Sequence, residues 1–198
     1  MKKLFLLSLL CFVSACGGIG GSAFKKVNAT NALAALKLIS STEFYYFTDK
    51  DSFTPLAELV RLGYCDDKNI SAIMQALESS GGSTPYNGYL FRELNADTNE
   101  KAAGGSGRYA LAAYPAEPGK TGDIIYLMLL DMGVPVSEES GRSSGGEFKL
   151  WSASSEKVKA PASWPSEAEL AAAYTRMDHT PQEGLRMAGK ISGSHRPN

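Results

Sequence analysis

The chain has 198 residues, 43% of them hydrophobic, a formal charge of −1 and a pI of about 6.1. That length supports one domain with a real core. The near-neutral balance, with lysines and arginines scattered rather than clustered, excludes nucleic-acid binding driven by charge, and cysteine use is sparse, at Cys11, Cys16 and Cys65.

The N-terminus reads Met1-Lys2-Lys3, then an apolar run from Leu4 to Val13, then Ser14-Ala15-Cys16. A basic start, a short apolar stretch and small residues before a cut site define a secretory signal. The run is 10 residues long, whereas a spanning helix needs about 20, so it reads as a targeting segment. Val13-Ser14-Ala15-Cys16 resembles the lipobox of bacterial lipoproteins, a branched apolar residue and two small residues before the cysteine. The resemblance implies cleavage before Cys16, diacylglycerol on its thiol, and membrane lipid as a partner through Cys16. Each buried acyl carbon contributes roughly 0.8 kcal/mol, and two chains anchor stably. Gly17, where inner-membrane lipoproteins carry Asp, implies by the same resemblance the outer membrane, facing the periplasm or the exterior. The expected organisation is a signal peptide over 1–15, a lipidated cysteine and flexible Gly-rich tether over 16–27, a folded domain over 28–178 and a disordered tail over 179–198. Cys65 alone then remains; it reads as a small, partly buried apolar residue, and no intrachain disulfide is possible.

Ala32, Leu33, Leu36, Ile39, Tyr46 and Phe47 recur at helical spacing, which predicts a helix over about 30–48, capped by Asn28 or Thr30. Thr54-Pro55 and Gly63 bracket a short helix, with Thr54 as the expected N-cap. Asp66-Asp67 can start a third, running through Ile70, Ile73 and Leu77 to Ser79, with Gly81-Gly82 ending it. The period then changes. Residues 86–94 alternate, placing Tyr89, Phe91 and Glu93 on one face and Leu90, Arg92 and Leu94 on the other. Tyr109–Tyr114 and Asp123–Met132 follow as strands, the latter so continuously apolar that both of its faces must be covered. Val134-Pro135-Val136 can continue after a turn, and Glu147–Ser152 is the last expected strand. Ser166-Glu167-Ala168-Glu169 is a capping box opening a helix to about Met177. From His179 the chain is polar and rich in Gly and Pro. Strands in series joined by short turns predict an α+β fold, a long N-terminal helix packed on an antiparallel sheet of about four strands with extra short helices.

Several stretches resemble the globular headpiece of pilins and pseudopilins. Residues 31–40, Asn-Ala-Leu-Ala-Ala-Leu-Lys-Leu-Ile-Ser, followed by Phe44-Tyr45-Tyr46-Phe47, look like the helix of prepilin-type envelope proteins. Tyr86-Asn87-Gly88-Tyr89-Leu90-Phe91-Arg92 is similar to their first strand. Residues 109–115 and Gly119-Lys120-Thr121-Gly122 are similar to the second strand and the glycine loop that follows. The likeness covers roughly residues 30–133. It implies a pilin-like headpiece, and other envelope, secretion or pilus proteins as partners. The leader departs from the family: a lipobox and a glycine-rich segment stand where pilins carry a long apolar helix.

Candidate chemistry is sparse. Gly141-Arg142-Ser143-Ser144-Gly145 fits a nucleophile-elbow pattern, but that motif acts on a tight strand-to-helix turn, and here it precedes a predicted strand in a Gly- and Ser-rich stretch. His179 and His195, the only histidines, sit in the expected tail, a poor place for a preorganised base. Asp97-Thr98-Asn99-Glu100 begins like a calcium loop, yet Ala102 and Arg108 occupy the positions that need Gly and Glu. Asp49 and Asp51 read as helix-end and turn residues. Tyr45, Tyr46, Tyr86, Tyr89, Tyr109 and Tyr114 could line a ligand groove, though aromatics at this spacing more often serve packing. The sequence therefore points to a cell-envelope lipoprotein acting as a non-catalytic structural or binding module, without cofactor, metal or catalytic residues. The alternatives are a periplasmic hydrolase using Ser143 with His179 and a small-ligand or glycan binder using the tyrosines.

Overall fold

The computed structural model describes residues 17–65, 68–78, 81–94, 107–131 and 147–177. Helix α1 runs Gly17–Lys50, followed by α2, Leu56–Arg61, and α3, Lys68–Gln75. Strands β1, Tyr89–Glu93, β2, Arg108–Pro115, β3, Ile124–Asp131, and β4, Glu147–Ser154, come next. Helix α4, Glu167–Ala173, and β5, Thr175–Met177, complete the described chain. The strands form one antiparallel sheet in the order β1-β2-β3-β4-β5. This is the expected α+β architecture, a long helix on an antiparallel sheet, with one strand more than the sequence reading foresees.

Side-chain alternation divides the core. Tyr109, Leu111 and Ala113 of β2 and Tyr126, Met128 and Leu130 of β3 face α1, where Ala32, Ala35, Leu36 and Ile39 meet them. The intervening Ala110, Ala112, Ile125, Leu127 and Leu129 face Leu170 of α4, with Trp151 and Trp164 packed at the margin. The apolar run of β3 follows from this double coverage. Trp151 and Trp164 meet edge-on, ring centroids 5.4 Å apart, in the geometry that aromatic quadrupoles favour.

Four local expectations are corrected. Helix α1 starts at Gly17, not near residue 30, so the segment read as a flexible tether is helical from its first described residue. A helix already nucleated by packing propagates at one hydrogen bond per residue. Lys25 and Asn28 hold the early turns down: the Lys25 Nζ lies 3.0 Å from Asp123 Oδ1, and Asn28 Nδ2 donates to the Thr121 carbonyl at 2.8 Å. Thr54 is not the cap of α2; Pro55 occupies the N-cap position with extended ψ and no side-chain cap bond. Helix α3 ends at Gln75 rather than Ser79, because the Phe91 amide takes the Ala76 carbonyl at 2.9 Å and Leu77 bridges to β1. The last helix stops at Ala173: Tyr174 is extended and the next residues pair with Leu150, Trp151 and Ser152. The capping box itself forms, with the Glu169 amide donating to Ser166 Oγ at 3.3 Å and the Ser166 amide donating to Glu169 Oε2 at 2.8 Å. The hairpin into β1 uses Asn87 and Gly88, both at positive φ. A Cβ on Gly88 would stand 2.8 Å from the Asn28 amide nitrogen, so the turn also needs the missing side chain for space.

Candidate functional site

The proposed lipid cysteine Cys16, the Ser143 motif, His179, His195, Asp66-Asp67 and the 97–100 stretch all lie outside the described residues. Cys65 is half-buried. Asp49 and Asp51 fall at the end of α1 and in the turn after it. Asp49 accepts a hydrogen bond from the Tyr64 hydroxyl and pairs with Lys50 at 3.0 Å. These contacts, the Tyr64 bond first, hold its carboxyl below the usual carboxylate range.

The six tyrosines do not converge on one groove. Tyr89 and Tyr109 are buried in the core, with the Tyr89 hydroxyl donating to the Ile124 carbonyl at 3.0 Å. Tyr45 and Tyr46 gather with Tyr64 near the C-terminal end of α1. Tyr86 packs on Phe91. Tyr114 lies under Arg92, whose guanidinium carbon is 5.2 Å from the ring centroid. Arg92 also pairs with Glu78 and donates to the Pro161 carbonyl at 2.9 Å, so it clamps three segments at the margin of the sheet. An open groove of about 370 Å³ is lined by Met74, Gln75, Gly81, Gly82, Ser83 and Thr84, none of them ionisable.

The most unusual chemistry is inside. Glu43 of α1 is 0% exposed, and neither of its carboxyl oxygens has a hydrogen-bond partner. Glu93 of β1 is buried beside it. The Glu93 Oε1 accepts from the Leu56 amide at 2.7 Å and from the Tyr109 hydroxyl at 3.1 Å. A buried carboxylate thus takes over the α2 terminus that Thr54 leaves uncapped, which the helix dipole favours. Burial, then the neighbouring Glu93 charge, push the Glu43 carboxyl up to about 9; the Thr54 backbone opposes this without making a full hydrogen bond. Glu43 is therefore protonated at neutral pH. Burial and the two carboxyls also hold the Tyr109 phenol well above its ordinary value, which keeps it a donor to Glu93. Sealed from solvent, Glu43 can meet no substrate; the arrangement joins α1, α2, β1 and β2. Among the described residues, no group of three or more His, Cys, Asp or Glu is placed to hold a metal ion. The spacing Ala32, Leu36, Ile39, Glu43 could have flagged Glu43 as a carboxyl on the apolar stripe.

Comparison with protein-family models, with curated proteins and with solved structures finds no match.

Proposed function

We propose that the protein is a cell-envelope lipoprotein, anchored by lipid on Cys16, whose α+β body serves as a non-catalytic structural or binding module. The carrying observation is Val13-Ser14-Ala15-Cys16 directly after a short basic and apolar leader. No described helix is long and apolar enough to cross a membrane. The likeness of residues 30–133 to pilin headpieces supports an assembly role with envelope, secretion or pilus proteins. Cys16→Ser in the full chain should give unprocessed or unanchored protein, read by labelled palmitate incorporation and by membrane fractionation. Equal labelling of parent and variant would refute the anchor.

A further inference from the structure

The end of the molecule from which α1 emerges combines exposed apolar and basic groups. Phe24 and Val27, one turn apart on α1, are 70% and 56% exposed. Phe24 stands about two turns, roughly 10 Å, from Gly17. The same end holds the β2–β3 turn, because Lys25 pairs with Asp123. It also holds the chain leaving β4, because the Ser155 amide donates to the Asp123 carbonyl at 2.9 Å. Ile124, 36% exposed, directly follows Asp123 in the chain.

Charge at this end runs against that of the whole chain. Lys25 and Lys120 are matched by Asp123 and Glu117. Lys26, Lys157 and Lys159 are exposed and have no ion pair among the described residues, and Glu156 alone stands against them. Exposed apolar side chains and exposed lysines at one end of the fold suit one partner above others, the interface of an anionic bilayer. There the apolar side chains enter the acyl boundary and each nearby lysine gains attraction to the surface.

We infer that this end, formed by Phe24 and Val27 with Ile124 and the lysines Lys26, Lys157 and Lys159, seats directly on an anionic lipid surface and sets the orientation of the body on the membrane. The inference deepens the anchor reading and takes from it the nearness of Phe24 to the bilayer. The position of the chain supports it, since Cys16 directly precedes α1 and Phe24 follows about two turns into that helix.

The test uses the full chain made with its leader in a bacterial host. The mass of the purified N-terminus first reports whether Cys16 is acylated. In a Cys65→Ser background, an environment-sensitive fluorophore on Phe24→Cys is compared with one on Tyr45→Cys. Tyr45 is exposed roughly 30 Å further along α1. The acylated protein is reconstituted in phosphatidylcholine vesicles containing phosphatidylglycerol and nitroxide-labelled lipid. Quenching at position 24 and none at 45 is expected; equal water exposure at both sites in acylated protein overturns the surface while leaving the anchor intact. If the mass shows no acylation, the anchor fails, and the same chain without fluorophore is sedimented with vesicles at low salt. Binding that needs phosphatidylglycerol and falls roughly fivefold for each of K26E, K157E and K159E upholds the surface. Absence of such binding overturns it.

Discussion

Glu43 sits where α1 needs an apolar residue. Ionising it there, without a hydrogen bond and beside Glu93, would cost far more than holding a proton, so the folded chain keeps it neutral. The sign of the linkage follows. Below about pH 4.5 both folded and unfolded chains bind this proton, and the stability associated with it is fully present. Between 4.5 and about 9 only the folded chain holds it, so stability falls as pH rises, by up to about 1.4 kcal/mol per pH unit. Above about 9 the loss is complete. Glu43→Leu, similar in size and apolar, should therefore be more stable than the parent at neutral pH. Its advantage should widen from pH 5 towards 9. Urea unfolding of both proteins across that range measures it; parallel pH profiles would show that Glu43 carries no such penalty.

The elements owe their placement to which faces are covered. Ile125 of β3 is buried against Leu127, Leu129 and Leu170, whereas its neighbour Ile124 is partly exposed. Ile125→Asp should cost several kcal/mol, on the order of a small domain's whole stability, while Ile124→Asp should stay within about 0.5 kcal/mol. Thermal melting of the two variants distinguishes a central strand from an edge one, and similar melting temperatures would deny β3 its central place. Strand β3 was legible because double coverage writes a continuous apolar run, and β1 because Tyr89, Phe91 and Glu93 alternate inward as read. The early turns of α1 were not legible. Their glycines each cost about 1 kcal/mol relative to Ala, and what holds them, Asp123 and Thr121, lies far away in sequence. Strand β5 was hidden for a similar reason: Thr175-Arg176-Met177 is strand only because β4 offers it a partner. The meeting of Glu43 with Glu93 likewise depends on α1 crossing the sheet, which no local spacing encodes.

Among the described residues the sheet ends on β5. Met177 packs against the cluster under α1, and Leu170 of α4 covers the other face of the sheet. The C-terminal elements thus bear on both halves of the core. From His179 to Asn198 the chain offers few apolar residues, chiefly Leu185, Met187 and Ile191, among glycines and prolines. A segment of that composition has little apolar surface to bury and adds little to stability. Truncation after Asp178 should accordingly leave the melting temperature within a few degrees of the full chain. Truncation after Leu170 removes Tyr174 and all of β5 and should lower it sharply, since the β4 ladder from Leu150 to Ser152 loses its partner. The first truncation also removes both histidines. Parent and truncated proteins are therefore assayed on model esters and peptides alongside melting, with no turnover expected from either. Hydrolysis by the full chain that disappears from the folded truncated form would replace the structural-module reading with a histidine-dependent enzyme, and unfolding of the form ending at Asp178 would show that residues 179–198 contribute to the core.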